Sequence, residues 1–143
     1  MAAETYVPPD PQIAALLRGT KNVAVVGLSD NPSRPSYDVA EYLEAAGYRI
    51  IPVNPTLKEW HGIPAFPDLA SVKGAGLPID LVDVFRRPED VGPVVDDAVR
   101  VGAKAIWFQL GVINEAAARK AKEAGLTVVM DRCTKIEHRR LVR

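Results

Sequence analysis

At 143 residues with 48% hydrophobic side chains, the chain has the size and the apolar content of one domain, and residues 1–143 are expected to fold as a single unit. Eighteen basic and eighteen acidic side chains cancel, which excludes a global field steering the protein toward nucleic acid or an anionic membrane, so any anion site must be local. The single cysteine, Cys133, excludes an intramolecular disulfide, and with His61 and His138 the only histidines a zinc cluster is not expected.

In chain order, residues 1–20 read as a leading segment whose helix, Pro11 to Arg18, starts at Asp10 as N-cap and stops at Gly19. Val23 to Leu28 is apolar without alternation, the pattern of a parallel strand buried on both faces. Val39, Tyr42, Leu43 and Ala46 then recur at helical spacing up to Gly47, and Tyr48 to Val53 forms a second strand stopped by Asn54-Pro55. Residues 56–79 are irregular, with one helical turn expected from Asp68 to Val72. Asp80 to Phe85 is the third strand and Pro88 opens a helix ending at Gly102. Ala105 to Leu110 is the fourth strand, followed by a helix from Glu115 to Ala124 capped by Asn114. Leu126 to Met130 is the fifth strand, and residues 132–143 form a basic terminal helix, read as a solvated face with His138 at the surface. No apolar run approaches the about 20 residues of a spanning helix, and the N-terminus lacks the basic and apolar regions of a signal peptide, so a cytoplasmic location is expected.

Strands alternating with helices predict an α/β fold: a Rossmann-like, doubly wound, mainly parallel five-stranded sheet of order 3-2-1-4-5 with helices on both faces. In that order the crevice lies between the carboxyl ends of the first and fourth strands, and Gly27 to Asn31 face Gln109-Leu110-Gly111 across it. The loop Gly27 to Ser36 has the place of a dinucleotide fingerprint, but the positions of its three glycines hold Gly27, Ser29 and Pro32. The second strand ends in Val53-Asn54, without the acidic side chain that holds an NAD ribose. No Walker sequence occurs. A helix N-terminus, Ser29, Asn31, Ser33 and Arg34 in the first loop, and Arg86-Arg87 on the third-strand rim remain as means of holding phosphate.

The successive segments GLSDNPSRPSY, GYRIIPVNP, DLVDVFRRP, WFQLG and VVMDRC, covering Asn22 to Leu141, resemble the small single-domain coenzyme A-binding proteins. That family is similar in turn to the coenzyme A-binding domain of the succinyl-CoA synthetase α subunit. The resemblance implies coenzyme A or an acyl-CoA as ligand. It places Gly27, Leu28, Ser29, Asp30 and Asn31 at the diphosphate, with Arg34, Pro35 and Ser36 in the same loop. It places Asn54 and Pro55 on the adenosine side, Phe85, Arg86 and Arg87 on the rim, and Phe108, Gln109 and Leu110 at the pantetheine. Ligase activity is not implied, because Gln109 stands where the synthetase carries a glutamate and no phosphohistidine domain follows.

The expected role is therefore non-catalytic binding, as a carrier, sensor or partner of an acyl-CoA enzyme, by a monomer or a homodimer, with no catalytic or metal-ligating residue. The alternative is an enzyme: a small NAD(P)-dependent oxidoreductase or a thiol redox protein using Cys133, which follows the fifth strand's carboxyl end. Several residues also have plainer readings. Ser33 is expected to cap a helix, Trp107 to sit in the core, and Gln109, an amide near the end of a buried strand, to need internal partners. Asp80 and Asp83 pair with no histidine or second carboxylate and are assigned no acid–base role.

Overall fold

A computed structural model of the chain describes residues 6–142, so the reading of the first five residues and of Arg143 lies outside it. Seven strands and six helices follow one another: α1 (Asp10–Gly19), β1 (Asn22–Val26), α2 (Pro35–Ala45), β2 (Arg49–Val53), β3 (Glu59–Trp60), β4 (Ile63–Pro64), α3 (Leu69–Gly74), β5 (Leu81–Val84), α4 (Val91–Arg100), β6 (Ala105–Phe108), α5 (Glu115–Glu123), β7 (Thr127–Met130) and α6 (Thr134–Leu141). A single 3-10 turn, Pro88–Asp90, leads into α4.

Strands β1, β2, β5, β6 and β7 form one wholly parallel sheet in the order β2-β1-β5-β6-β7. The expected fold class is thus the observed one, a doubly wound Rossmann-like sheet with helices on both faces. The order differs. Counted over the five predicted strands it is 2-1-3-4-5, not 3-2-1-4-5, because β5 pairs with β1 directly and β2 is displaced to the edge. The outer place beyond β2 goes instead to a one-residue parallel bridge, Val53 with Phe66, inside the segment read as irregular. A short antiparallel hairpin, β3 and β4, precedes it. Its two-residue strands are too short to leave an alternating pattern in the sequence.

Each face of the sheet carries its own core. Val23, Val25, Leu81 and Trp107 pack with Ile13, Leu17, Val39 and Leu43 under α1, α2 and α6. Val82, Val84, Ile106 and Phe108 pack with residues of α3, α4 and α5 on the other side. Burial of every position from Leu81 to Val84 and from Ala105 to Phe108 explains why these strands show no apolar–polar alternation.

Helix ends follow local chemistry. Asn114 caps α5 by accepting the Ala117 amide, as expected, and also donates Nδ2 to the Pro88 carbonyl. Asp68 caps α3 through the Ser71 amide. Two expectations are corrected. The cap of α1 is Pro9, and Asp10 already belongs to the helix, its carboxylate held by Arg140 of α6. The cap of α2 is Arg34, while Ser33 closes a turn against the Asn31 Oδ1 instead. His138 is buried rather than at the surface, because it bonds the Tyr42 hydroxyl at 2.9 Å and lies edge-on to the rings of Tyr42 and Tyr48. Among the described residues no helix is long and apolar enough to cross a membrane.

Where β1 and β5 end side by side, Gly27 has φ +89°, and a Cβ built there would run into the carbonyl oxygen of Phe85. Gly27 is therefore required both for its backbone conformation and for the close approach of two strand ends. Gly27→Ala is expected to lower the folding free energy by at least ~2 kcal/mol, combining a left-handed penalty with overpacking. The urea unfolding midpoint reads it, and an unchanged midpoint would remove both reasons for the glycine.

Candidate functional site

The chain leaves β1 through α2 on one face of the sheet and leaves β5 through α4 on the other. Adjacent strands whose connections depart to opposite faces make a crevice at their carboxyl ends, the place where ligands bind in open α/β sheets. Because β5 rather than β6 neighbours β1, the crevice opens between Gly27 and Phe85-Arg86, with Gln109-Leu110 one strand further on. A cleft of about 630 Å³ lies there. The α6 helix returns across the sheet to wall it with Cys133 and Ile136.

The loop above the cleft is tied to itself. The Ser29 amide donates to the Ser36 Oγ at 3.0 Å, the Asn31 amide to the Ser29 Oγ at 3.0 Å, and the Ser33 amide to the Asn31 Oδ1 at 3.0 Å. Polar side chains thus take the role of the absent glycines, fixing the course of the backbone by hydrogen bonds. Pro35 in the first turn of α2 presets the helix direction. Asn54, at the end of β2, donates Nδ2 to the Leu28 carbonyl at 3.0 Å and accepts from the Thr56 amide and hydroxyl.

Of the residues expected at the site, Gly27, Ser29, Arg34, Pro35, Ser36, Phe85, Arg86, Gln109 and Leu110 come together around the cleft. The others are placed outside it. Leu28 and Phe108 are fully buried in the core, Asp30 and Asn31 are exposed in the loop without lining the cleft, and Pro55 is exposed next to Asn54. Arg87 turns away to pair with Asp90 at 3.1 Å and Glu89 at 3.6 Å. Val39, Val112, Cys133 and Ile136 complete the wall. For Ile136 the sequence signal was faint, one apolar residue in a helix of charged neighbours, and it remains 45% exposed.

The cleft is chemically divided. Arg34 and Arg86 stand at it without a carboxylate partner among the described residues, unlike Arg87, Arg100 and Arg140, which are all paired. Val39, Phe85, Leu110, Val112 and Ile136 supply an apolar wall. Two guanidinium groups without a carboxylate partner among the described residues suit the phosphates of a nucleotide, and the apolar wall suits an attached uncharged arm, so the residues present fit coenzyme A.

Beneath the floor lies a buried polar network. Gln109 donates Nε2 to the Asp83 Oδ1 at 2.5 Å and to the Thr134 Oγ1 at 2.9 Å, and Thr134 donates to the Asp83 Oδ2 at 3.0 Å. The internal partners expected for Gln109 are therefore Asp83 and Thr134. Asp83 shares a sheet row with Val25 and Trp107, which aims it at α6, where Thr134 is the first residue. Burial pushes its carboxyl up to about 7, against the hydrogen bonds from Gln109 and Thr134, which favour the charged form. Asp80, near the opposite end of the strand, behaves differently: burial opposes its charge, but the Asn22 and Lys21 amides and Lys104 outweigh it and hold the carboxyl below its usual range.

The comparisons with known proteins bear on the family and the fold. A family model described as a CoA binding domain matches residues 21–139. The chain belongs to that CoA binding domain family. An uncharacterized protein, YneT, of Bacillus subtilis (strain 168) is 44% identical over 131 residues, spanning 92% of this chain and 95% of its own. A hypothetical protein from Pyrococcus horikoshii OT3 superposes with a TM-score of 0.91 at 36% identity, over 99% of this chain and 100% of that one. An acetyl-coenzyme A synthetase of Ca. Korarchaeum cryptofilum, in complex with phosphate and ADP, shares the fold at TM-score 0.68 and 24% identity, over 78% of this chain and 26% of that one.

A folded-state value of about 7 for Asp83 means that the native protein holds a proton which the unfolded chain releases near pH ~4. The native state binds more protons in that window, so stability falls as pH rises from ~4 to ~7 and the loss is complete above. Asp83→Asn cannot ionise and is expected to flatten this dependence. Urea midpoints of both proteins between pH ~5 and ~8 provide the measurement. A wild-type minus variant difference that stays constant with pH would contradict the raised value.

Proposed function

We propose that the chain binds coenzyme A or an acyl-coenzyme A non-covalently in the cleft at the switch point of its sheet, without a reaction of its own, as a carrier, sensor or partner of an acyl-CoA enzyme. The observation that carries this reading is the pair of guanidinium groups, Arg34 and Arg86, that have no carboxylate partner among the described residues and stand beside an apolar wall, in a chain of the CoA binding domain family. Arg34 and Arg86 hold the phosphates, the Gly27–Ser29 turn brings backbone close to them, and Val39, Leu110, Val112 and Ile136 receive the pantetheine arm. Coenzyme A itself supplies a thiol or thioester at the end of that arm. Asn54 argues against NAD: it occupies the position of the ribose-binding acid, and both ends of its amide are already engaged by Leu28 and Thr56.

Titration calorimetry with coenzyme A, NAD, NADP and ATP tests the reading. Coenzyme A is expected to bind at submillimolar concentration and more tightly than the other three, and an absence of coenzyme A binding overturns it. Within the same experiment Arg34→Ala and Arg86→Ala are each expected to weaken coenzyme A about tenfold or more, the effect of losing a charge-assisted hydrogen bond. Arg87→Ala, which removes only exposed ion pairs, is expected to change affinity by less than about threefold. Equal losses for Arg86 and Arg87 would remove the assignment of the phosphates to the cleft-lining pair.

A further inference from the structure

Gln109 has an amide whose two ends do different work. Its Nε2 gives both protons inward, one to Asp83 and one to Thr134. With Asp83 ionised both its oxygens only accept, and the nitrogen of the amide faces them, the orientation found in the structure. No described residue bonds Oε1, yet Oε1 is not among the side-chain atoms sealed from solvent without a partner, of which Trp60 Nε1 is the one instance in the described residues. Gln109 lines the cleft while remaining 4% exposed. The cleft floor therefore presents a hydrogen-bond acceptor, fixed in place from below and flanked by Leu110, Val112 and Ile136.

We propose that Asp83 is a positioning residue whose charge sets the hydrogen-bond polarity of the cleft floor: ionised, it holds Gln109 with Oε1 outward to accept an amide N–H of the ligand's arm, and protonated, it turns the amide over. The inference rests on the reading of the cleft as a coenzyme A site and names the part of that ligand Gln109 selects. An N–H donor set among apolar groups is the chemistry of an amide joining methylene segments, which the pantetheine arm carries and the nucleotide end does not. When a proton adds to Asp83 Oδ1, the oxygen facing Gln109, the new O–H opposes the Nε2 donor and can donate to Gln109 only if the amide rotates to offer Oε1 inward. Nε2 then faces the ligand as a donor, opposite another donor, and the contact is lost. The carboxyl's value of about 7 places this change near neutrality.

The other ionisable groups on the elements around Asp83 are engaged elsewhere, face the cleft or, like Arg139 of α6, are exposed to solvent. On α6, Lys135 pairs with Asp38 of α2, Glu137 pairs with Arg140, and His138 bonds Tyr42 of α2, with burial pushing its imidazole down. Arg132 and Cys133 precede that helix, and the Arg132 carbonyl accepts Trp107 Nε1. On the cleft side stand Arg34 and Arg86. None of these makes a hydrogen bond to the Asp83 carboxyl group, whose partners among the described residues are Gln109 and Thr134.

The test compares coenzyme A with adenosine 3′,5′-bisphosphate, which keeps phosphates and adenosine but lacks the arm, in calorimetric titrations at pH ~5.5, ~7 and ~8.5. The ratio of the two affinities isolates the arm. In the wild-type protein this ratio is expected to fall about tenfold as the pH drops through ~7, the effect of one hydrogen bond replaced by two opposed donors. Asp83→Asn, which like the protonated acid can donate to Oε1, is expected to show the low ratio at every pH. A wild-type ratio independent of pH, or an Asp83→Asn ratio that follows the wild-type profile, overturns the inference while leaving coenzyme A binding intact. Failure of coenzyme A to bind at any pH overturns the underlying reading as well. Should Asp83→Asn not fold, the side-chain amide resonances of Gln109 in the unliganded wild-type protein decide the matter. They are expected to titrate together with the Asp83 carboxyl carbon, and constancy through that titration overturns the inference.

Discussion

The architecture turns on the contact between Gly27 and the Phe85 carbonyl. At this point β1 and β5 run out side by side, the Gly27 amide donates to Val53 and the Phe85 amide donates to Val26, so three strand ends are laced together through main chain. A side chain at position 27 would drive the strands apart just where their connections split to opposite faces. The first loop, the Phe85-Arg86 rim and the floor at Gln109 all take their positions from that junction. In this fold the glycine serves the approach of protein to protein as much as that of protein to ligand.

Charge is organised locally in a chain whose total is zero. Several peripheral cations are neutralised by neighbours: Arg87 by Asp90, Arg100 by Asp97, Arg140 by Asp10 and Glu137, Lys135 by Asp38. Arg34 and Arg86 are left at the cleft. The field that an anionic ligand meets is consequently short in range, and recognition depends on geometry at the site more than on steering from a distance. The fully buried carboxyl group of Asp83 beneath the floor completes the pattern. Asp83 lies one hydrogen bond below the surface the ligand would touch, which gives a residue without access to ligand a means of acting on it.

The parts of the site that could be read from the sequence are those carried by residues near strand ends. Gly27, Ser29, Arg86, Gln109 and Leu110 follow apolar runs that can only be strands, and the alternating rule places all such ends on one edge. Arg86 and Arg87 could not be told apart. Their separation depends on the 3-10 turn at Pro88, which brings Asp90 and Glu89 to Arg87 and leaves Arg86 over the cleft. The family resemblance places Asn54 on the adenosine side, and in the structure its amide joins the ends of β1 and β2, a link that no local pattern announces. The anomaly of an aspartate inside LVDVF was visible, but its partners lie 26 and 51 residues away along the chain and no local pattern points to them.

The sequence by itself determined the alternation of strands and helices, the switch from apolar strand to polar loop after Gly27, the missing NAD acid and the family resemblance, because each is a matter of local order and spacing. Tertiary structure decided the strand order, since whether β5 or β6 lies against β1 is settled by long-range packing and leaves no trace in periodicity. It also decided that α6 folds back to bring Cys133, Thr134 and Ile136 against residues from β1, β5 and β6, closing the cleft and supplying the hydroxyl that, with Asp83, holds the amide of Gln109. Spacing along a chain specifies which elements form. The meeting of side chains fifty residues apart depends on how those elements bury one another.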